Sequence, residues 1–326
     1  MHKKVFARHD HFFENSKDQH LFLRLREVAP ESDGRNAQAI LFVHGAIMPS
    51  VLFDIPVQDA SWLEFFAHRN FHAFALDLQG YGRSTKPPTM NLPEKEVAPL
   101  CTHEDALSNI SDAIHYIQSR LHIHHVVLVG LSWGSVLAGS FTHRYPHLVS
   151  HLVLLGAVYS YPNPLWSILL DPTDPKKLIS SLGGYRVISR DILSAAWNRE
   201  IPEAFKDIWR TPSVYHAIEK EILQSDIEWA QKHNIEAIRV PCGVLQDVLH
   251  IYHENPLYPA EEISAPTLII RGDHDLSSHP KDMENLFKKL GTPRKSYVQM
   301  GHTSHYAVAE HRAQEMMNMT FDFIQR

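Results

Sequence analysis

Cysteine is scarce in this chain. Cys101 and Cys242 are its only two, so no disulfide framework can be built, and neither lies in a C-x-x-C pair. Long apolar runs are missing too. None approaches the roughly 20 residues of a transmembrane helix, so no membrane span is expected. Residues 1–20, "MHKKVFARHDHFFENSKDQH", start basic but hold no apolar stretch of the kind a secretory signal needs. A cytoplasmic location is the resulting expectation. Runs of Lys or Arg are absent, and 37 acidic residues outnumber 31 basic ones, for a net charge of −6. Such a chain lacks the electrostatic footprint of a nucleic-acid binder. Internal repeats and low-complexity segments are also lacking, and no feature points to a particular oligomeric state.

Histidine, in contrast, is plentiful, at 24 residues. The tightest groups are "LHIHHVV" (His122, His124, His125) and "GHTSH" (His302, His305). Neither is an H-E-x-x-H pattern or has carboxylates at a matching offset. No metal and no other cofactor is expected. The remainder is ordinary for a globular protein, 44% hydrophobic and 21% charged over 326 residues. That length suits one large domain, or a core carrying an insertion.

Short apolar runs ending in glycine or a turn recur along the chain: "AQAILFVHGA" (Ala37–Ala46), "FHAFALDLQGYG" (Phe71–Gly82), "HHVVLVG", "VSHLVLLGAVY" (Val149–Tyr159), "APTLIIRGD" (Ala265–Asp273) and "RKSYVQMGH" (Arg294–His302). Between them lie segments with apolar residues at helical spacing, such as Asp59–Asn70 and His103–His122, where Leu107, Ile110, Ile114 and Ile117 share a face. Another helix is expected at "PKDMENLFKKL", and a closing one near Ala307–Ile324. Near-continuous apolar strands alternating with helices indicate an α/β fold: a mostly parallel, twisted sheet with helices on both faces. "HLFLRLREV" alternates more and reads as an antiparallel edge strand. From about Tyr161 to Ile263 the alternation stops, and the chain is polar, proline-bearing and rich in tryptophan. We read a core of residues 1–160 and 264–326 interrupted by an inserted helical cap, 161–263.

The chemistry centres on "VVLVGLSWGSVLAG" (Val126–Gly139), in which Gly130-Leu131-Ser132-Trp133-Gly134 follows an apolar strand and precedes a helix. A serine on so sharp a turn projects its hydroxyl above the sheet edge, and glycines two residues either side remove the collisions the turn would cause. The turn also sets Ser132 at a helix N-terminus, where backbone N–H groups favour developing negative charge. A serine hydroxyl needs a base held by an acid. Downstream, "LIIRGDHD" brings Asp273 and Asp275 to the end of a strand, and "SYVQMGHTSH" brings His302 and His305 to the end of the last. Loops above a parallel sheet are where active sites are built.

These motifs resemble, in order and over essentially the whole core, those of the α/β-hydrolase superfamily in its serine-nucleophile subset. "FVHGA" resembles the oxyanion strand and "DLQGYGRST" the Asp-x-x-Gly-x-Gly-x-Ser turn. "GLSWGS" resembles the nucleophile elbow, and "RGDHD" and "MGHTSH" the acid and histidine turns. The resemblance implies Ser132 as nucleophile and Asp275 as acid, since Gly272 precedes it by three, with Asp273 second. It implies His302 as base, after Gly301, with His305 a supporting neighbour. It implies an oxyanion hole from the backbone N–H groups of Ala46 and Trp133, whose indole either walls the acyl pocket or simply packs. His44 and Asp77 are expected to be structural. "GAVYSYPNPLW" offers no carboxylate before Asp171, which argues against an earlier acid.

The implied activity is hydrolysis of an ester or related small-molecule acyl substrate through an acyl-enzyme. A serine at the elbow disfavours the aspartate-nucleophile branches, the haloalkane dehalogenases and epoxide hydrolases. "GLSWGS" also resembles the elbow of prolyl aminopeptidases, which need carboxylates for a substrate amine, and Glu200, Glu203, Glu219, Glu221 and Glu228 are available. Their His-Gly-Gly-Pro-Gly strand is not matched by "HGAIMPS". A carbon–carbon hydrolase or an acyltransferase stays open. A purely binding role is disfavoured, because Ser132, Asp275 and His302 are all present.

Overall fold

The structure, a computed structural model, describes residues 6–31 and 38–326. The basic start at residues 1–5, and Ala37 at the head of an expected strand, lie outside the described residues.

Among the described residues there are ten strands: β1 Arg8–Asn15, β2 Asp18–Val28, β3 Gln38–Val43, β4 Phe71–Asp77, β5 Val126–Leu131, β6 Val149–Leu155, β7 Tyr185–Ser189, β8 Ala237–Pro241, β9 Thr267–Gly272 and β10 Lys295–Met300. Eight of them form one sheet in the order β1-β2-β4-β3-β5-β6-β9-β10. From β4 to β10 all neighbours are parallel, and β1 and β2 are added antiparallel. β5 and β9 are buried at every residue, which is why these strands read as unbroken apolar runs. The expected edge strand, here β2, is instead flanked on both sides, by β1 and β4. β1 takes the edge. Its "RHDHFFEN" carries charge and no alternation strong enough to announce a strand, as suits an edge protected from further pairing.

Among the described residues, three α-helices precede β6: α1 Trp62–Ala67, α2 His103–Leu121 and α3 Trp133–Arg144. α2 begins with a capping box in which the Thr102 and Asp105 side chains each bond the other's backbone N–H. The segment between β6 and β9 contains α4 Arg190–Asn198, α5 Lys206–Trp209, α6 Pro212–Gln224, α7 Ile227–His233 and α8 Val244–Tyr252. It is not purely helical, as the sequence had suggested. β7 and β8 pair antiparallel within it, in register from Tyr185↔Pro241 to Ser189↔Ala237. Each spans five residues, too short to stand out from periodicity alone. The chain closes with α9 Pro280–Lys289, against β10, and α10 Ala313–Ile324, against β9. No helix among the described residues is long and apolar enough to cross a membrane.

Asp77 ends β4 as a buried hub. It accepts hydrogen bonds from the Ser50 N–H (2.9 Å), the Arg83 N–H (3.0 Å) and Arg24 Nη1 (3.1 Å). Burial alone would raise its pKa, but the Arg24 charge and these donors outweigh that and hold it low. Asp77→Asn turns an amide donor toward donors and removes one of the two carboxylates paired with the buried Arg24, at an expected cost of about 3 kcal/mol. Urea denaturation at pH 7 should show this loss. A carboxylate with a depressed folded pKa stabilises above its unfolded pKa and loses that contribution as pH falls through the folded one. The gap between wild type and variant should therefore close below roughly pH 4.

Candidate active site

β5 ends at Leu131 and α3 begins at Trp133, so one residue, Ser132, makes the whole turn. Its backbone sits at φ 56°, ψ −120°, a costly conformation for a side chain with a Cβ. A Cβ at Gly130 would lie 2.1 Å from the Gly134 carbonyl oxygen, and one at Gly134 would lie 2.4 Å from that of Val43. Only glycine fits at either position. The turn is held by the Ser132 N–H donating to the Leu155 carbonyl (2.9 Å) on β6, and by the Ser135 N–H donating to the Ser132 carbonyl (2.8 Å).

The neighbouring end of β3 brings Gly45 against this turn, close enough that a Cβ there would sit 3.1 Å from Ser132 Cβ. Ala46 follows and lines the same cavity as Ser132 and Trp133. Trp133, the first residue of α3, carries an N–H that a helix leaves without an intrahelical partner. The two expected donors thus border the candidate nucleophile. The Trp133 indole N–H donates to Asp247 (2.8 Å), on α8, which also meets His103 (2.8 Å). His44 is fully buried and structural: Nδ1 donates to the Gly45 carbonyl (2.8 Å) and Nε2 accepts from the Leu78 N–H (3.2 Å). Accepting at Nε2 requires a neutral ring, and burial depresses the pKa accordingly.

The histidine turn corrects the sequence reading. His302 is exposed, in the left-handed region at φ 57°, with its ring centroid 6.0 Å from that of Trp209. Asp275 pairs with His305 and not with His302. The His305 Nδ1 lies 2.9 Å from both Asp275 oxygens, and its ring lines the cavity with Ser132. The reason is local. After Met300 the chain turns through Gly301 and His302 and then buries Thr303 and Ser304. The Thr303 hydroxyl bonds back to the Met300 carbonyl (3.0 Å), and the Ser304 N–H is held by Glu310 (2.8 Å). Four residues therefore separate Met300 from the histidine that faces inward. The one available sequence signal is that His305 abuts the apolar run Tyr306–Ala309, whereas His302 follows a glycine.

Asp275 follows β9 by three residues. Its Oδ1 also accepts from the N–H groups of Ser277 (2.9 Å) and Ser278 (2.7 Å), which orient it. Asp273 instead faces its own turn, accepting from the Thr303 N–H (3.2 Å) and meeting His274 Nδ1 (2.9 Å). Gly156, just past β6 at φ +49°, lies under the pair, and a Cβ there would be 3.0 Å from Asp275 Oδ2 and 3.1 Å from His305 Nδ1. A side chain at this position would be strained by the backbone and crowded by the pair.

Two further carboxylates flank His305. Glu200 follows α4 and accepts the His305 N–H (2.8 Å). Glu310 accepts from the Trp197 indole (2.9 Å) and from Ser304. Burial alone would lower the His305 pKa, but Asp275, Glu200 and Glu310 together push it up to about 9. Burial and the Asp275 charge in turn push Glu200 up to about 7, against the pull of His305. In the sequence Glu200 is one of several carboxylates between residues 161 and 263, and no short motif marks Glu310.

The cavity holds about 240 Å³. Ile47, Met48, Leu52 and Val158 from the core, and Leu245, Val248 and Ile251 from α8, make its walls mostly apolar. Arg186, Arg199 and Glu200 enter it from the insertion. The arrangement offers a strained hydroxyl, an imidazole with Nδ1 engaged by an acid, and backbone donors beside the hydroxyl. Those are the parts of nucleophilic acyl transfer.

A family model described as alpha/beta hydrolase fold matches residues 38–312. The chain is 22% identical to Epoxide hydrolase 3 of Xenopus tropicalis over 320 residues, covering 94% of this chain and 78% of that protein. It is 29% identical to the (Lyso)-N-acylphosphatidylethanolamine lipase of Mus musculus over 151 residues, covering 46% of this chain and 36% of the lipase. Among solved structures, a hydrolase from Pseudomonas aeruginosa superposes with a TM-score of 0.64 at 15% identity, covering 97% of this chain and 98% of that one. A thermophilic esterase from Thermogutta terrifontis gives 0.63 at 17% identity, covering 98% and 100%.

The charge balance around His305 is open to direct measurement. Its ring nitrogens, followed by ¹⁵N NMR, should titrate well above the ordinary histidine range of about 6.5. Glu200→Gln keeps an acceptor for the His305 N–H but removes one negative charge, so the midpoint should move down. A midpoint unchanged in Glu200→Gln would show that Glu200 contributes no field at the ring.

Proposed function

The chain belongs to the alpha/beta hydrolase fold family, and from that premise we propose that it is a serine hydrolase of esters or related acyl compounds. The observation that carries the reading is the Asp275–His305 pair bordering one cavity with Ser132. In this mechanism His305 Nε2 removes the Ser132 proton as Oγ attacks the acyl carbon. The N–H groups of Ala46 and Trp133 receive the oxyanion. His305 then protonates the leaving group, and water releases the acyl-enzyme by the same steps. Asp275 holds the tautomer and balances the imidazolium. Residues 161–263 act as a cap whose apolar wall receives the acyl or alcohol part of a small substrate.

Epoxide opening is disfavoured by simple chemistry, despite the similarity to an epoxide hydrolase. A carboxylate nucleophile leaves an ester that water can cleave, whereas Ser132 would leave an ether. The aminopeptidase alternative also loses support. Glu219 is paired with Arg190, Glu221 with Arg83 and Glu203 with Lys206, while Glu228 is exposed. Glu200 alone of the five lines the cavity, where Arg186 and Arg199 would repel an ammonium group.

A fluorophosphonate probe should label wild type at Ser132, and Ser132→Ala should abolish labelling. On p-nitrophenyl esters of rising chain length, His305→Asn should lower kcat/KM by about 10³-fold or more. His302→Asn should stay within about threefold of wild type, in line with surface substitutions generally. A proline arylamide run beside the esters should not be cleaved. Failure of folded wild type to label would overturn the serine-hydrolase reading, and equal losses in the two histidine variants would overturn the choice of His305.

A further inference from the structure

β7 crosses the insertion with alternating sides. Val187 is 41% exposed, while Ile188 is buried and Arg186 lines the cavity that holds Ser132 and His305. Two of the Arg186 guanidinium nitrogens, Nε and Nη2, are removed from solvent and have no hydrogen-bond partner. Among the described residues, no carboxylate forms an ion pair with it.

The nearby groups do not supply a counter-charge. The Cys242 thiol touches Arg186, but burial pushes its pKa up, which keeps it neutral. The Tyr81 hydroxyl donates toward the carbonyls of Ala46 and Pro241 (3.2 Å each). Glu200, in the same cavity, is taken by the His305 N–H (2.8 Å).

Arg186 is partly buried, and the arginines that are fully buried are treated differently, Arg271 being held by the Ser278 and Asp275 carbonyls and Gln299 (2.8–3.0 Å). Arg239 is gripped by both oxygens of Asp226 (2.8 and 2.9 Å), and Arg24 by Asp77 and Asp10. Arg210 also has unpartnered nitrogens, but it stacks on the Tyr215 ring at 4.0 Å and does not line the cavity. A guanidinium stays charged at any pH a protein tolerates, and a buried charge without a partner is expensive. Nε and Nη2 form one edge of the guanidinium, and pairing it with a carboxylate through two parallel N–H donors requires the side chain to turn that edge toward the cavity.

We propose that Arg186 is a binding site for a carboxylate on the substrate, remote from the scissile carbonyl, so that the preferred substrates are small acyl compounds bearing an ionised acid. The proposal rests on the serine-hydrolase reading. It names carboxylate rather than phosphate because one guanidinium edge in a mostly apolar cavity matches two oxygens, not three.

Matched esters test it. p-Nitrophenyl hydrogen adipate against p-nitrophenyl hexanoate puts the carboxylate on the acyl side, and 4-acetoxybenzoate against phenyl acetate puts it on the alcohol side. Wild type should favour the charged member of at least one pair in kcat/KM by about tenfold or more, the size of a bidentate ionic contact. Arg186→Gln should cost the charged ester at least about tenfold more than its neutral partner, with Arg186→Lys, which keeps charge without the fork, in between. Adipate should also slow fluorophosphonate labelling of wild type and not of Arg186→Gln, a readout that needs no turnover. Labelling of Ser132 with no preference in either pair and no protection by adipate overturns the Arg186 assignment alone. Equal losses of charged and neutral esters in Arg186→Gln overturn it as well. Absence of labelling removes the serine-hydrolase reading beneath it.

Discussion

The site depends on one backbone constraint, the turn at Ser132. A residue with a Cβ is held at φ 56°, ψ −120° between a central strand and a helix, at a cost of about 1–3 kcal/mol. The surroundings leave it no alternative. Gly130 and Gly134 approach each other and the end of β3 so closely that no side chain can enter. The Ser132 N–H is committed to Leu155 on β6. Three adjacent parallel strands, β3, β5 and β6, therefore define the position of one hydroxyl, and the donors beside it come from the first residues beyond β3 and β5. Rigid elements carry the geometry, and the strain is stored where chemistry would use it.

The second organising feature is charge around His305. Asp275 alone would suffice to orient the ring, yet Glu200 and Glu310 add to the field that favours its protonated form. Both carboxylates also do structural work. Glu200 ties the insertion to the histidine turn through the His305 N–H, and Glu310 ties that turn to Trp197. The insertion is thus docked on the residues whose titration it influences, and its position and the basicity of the ring are coupled. Trp133 makes a parallel link on the other side, from the elbow to α8 through Asp247.

Much of the core was legible because its signals are local. The buried parallel strands read as apolar runs since both their faces are covered. The elbow was legible because a strained turn between close-packed elements leaves glycine as the one option at two positions. The turn that carries Asp273 and Asp275 was legible because it follows the apolar run of β9 directly. β1 went unread because an edge strand must look polar to avoid partners, and β7 and β8 because five residues carry too little periodicity.

The sequence by itself determined the family and the sharp strand–turn–helix at Ser132, since these depend on residue types at fixed short spacing. It also brought both candidate histidines to the right turn, His302 and His305, three residues apart. Which of them faces inward was a tertiary decision. It is settled by Thr303 and Ser304 being buried and bonded to Met300 and Glu310, contacts between segments whose meeting no local pattern announces. The same holds for Arg186. Its position on β7 is written in the chain, but that it lacks a counter-charge inside the cavity depends on where every surrounding carboxylate is already engaged.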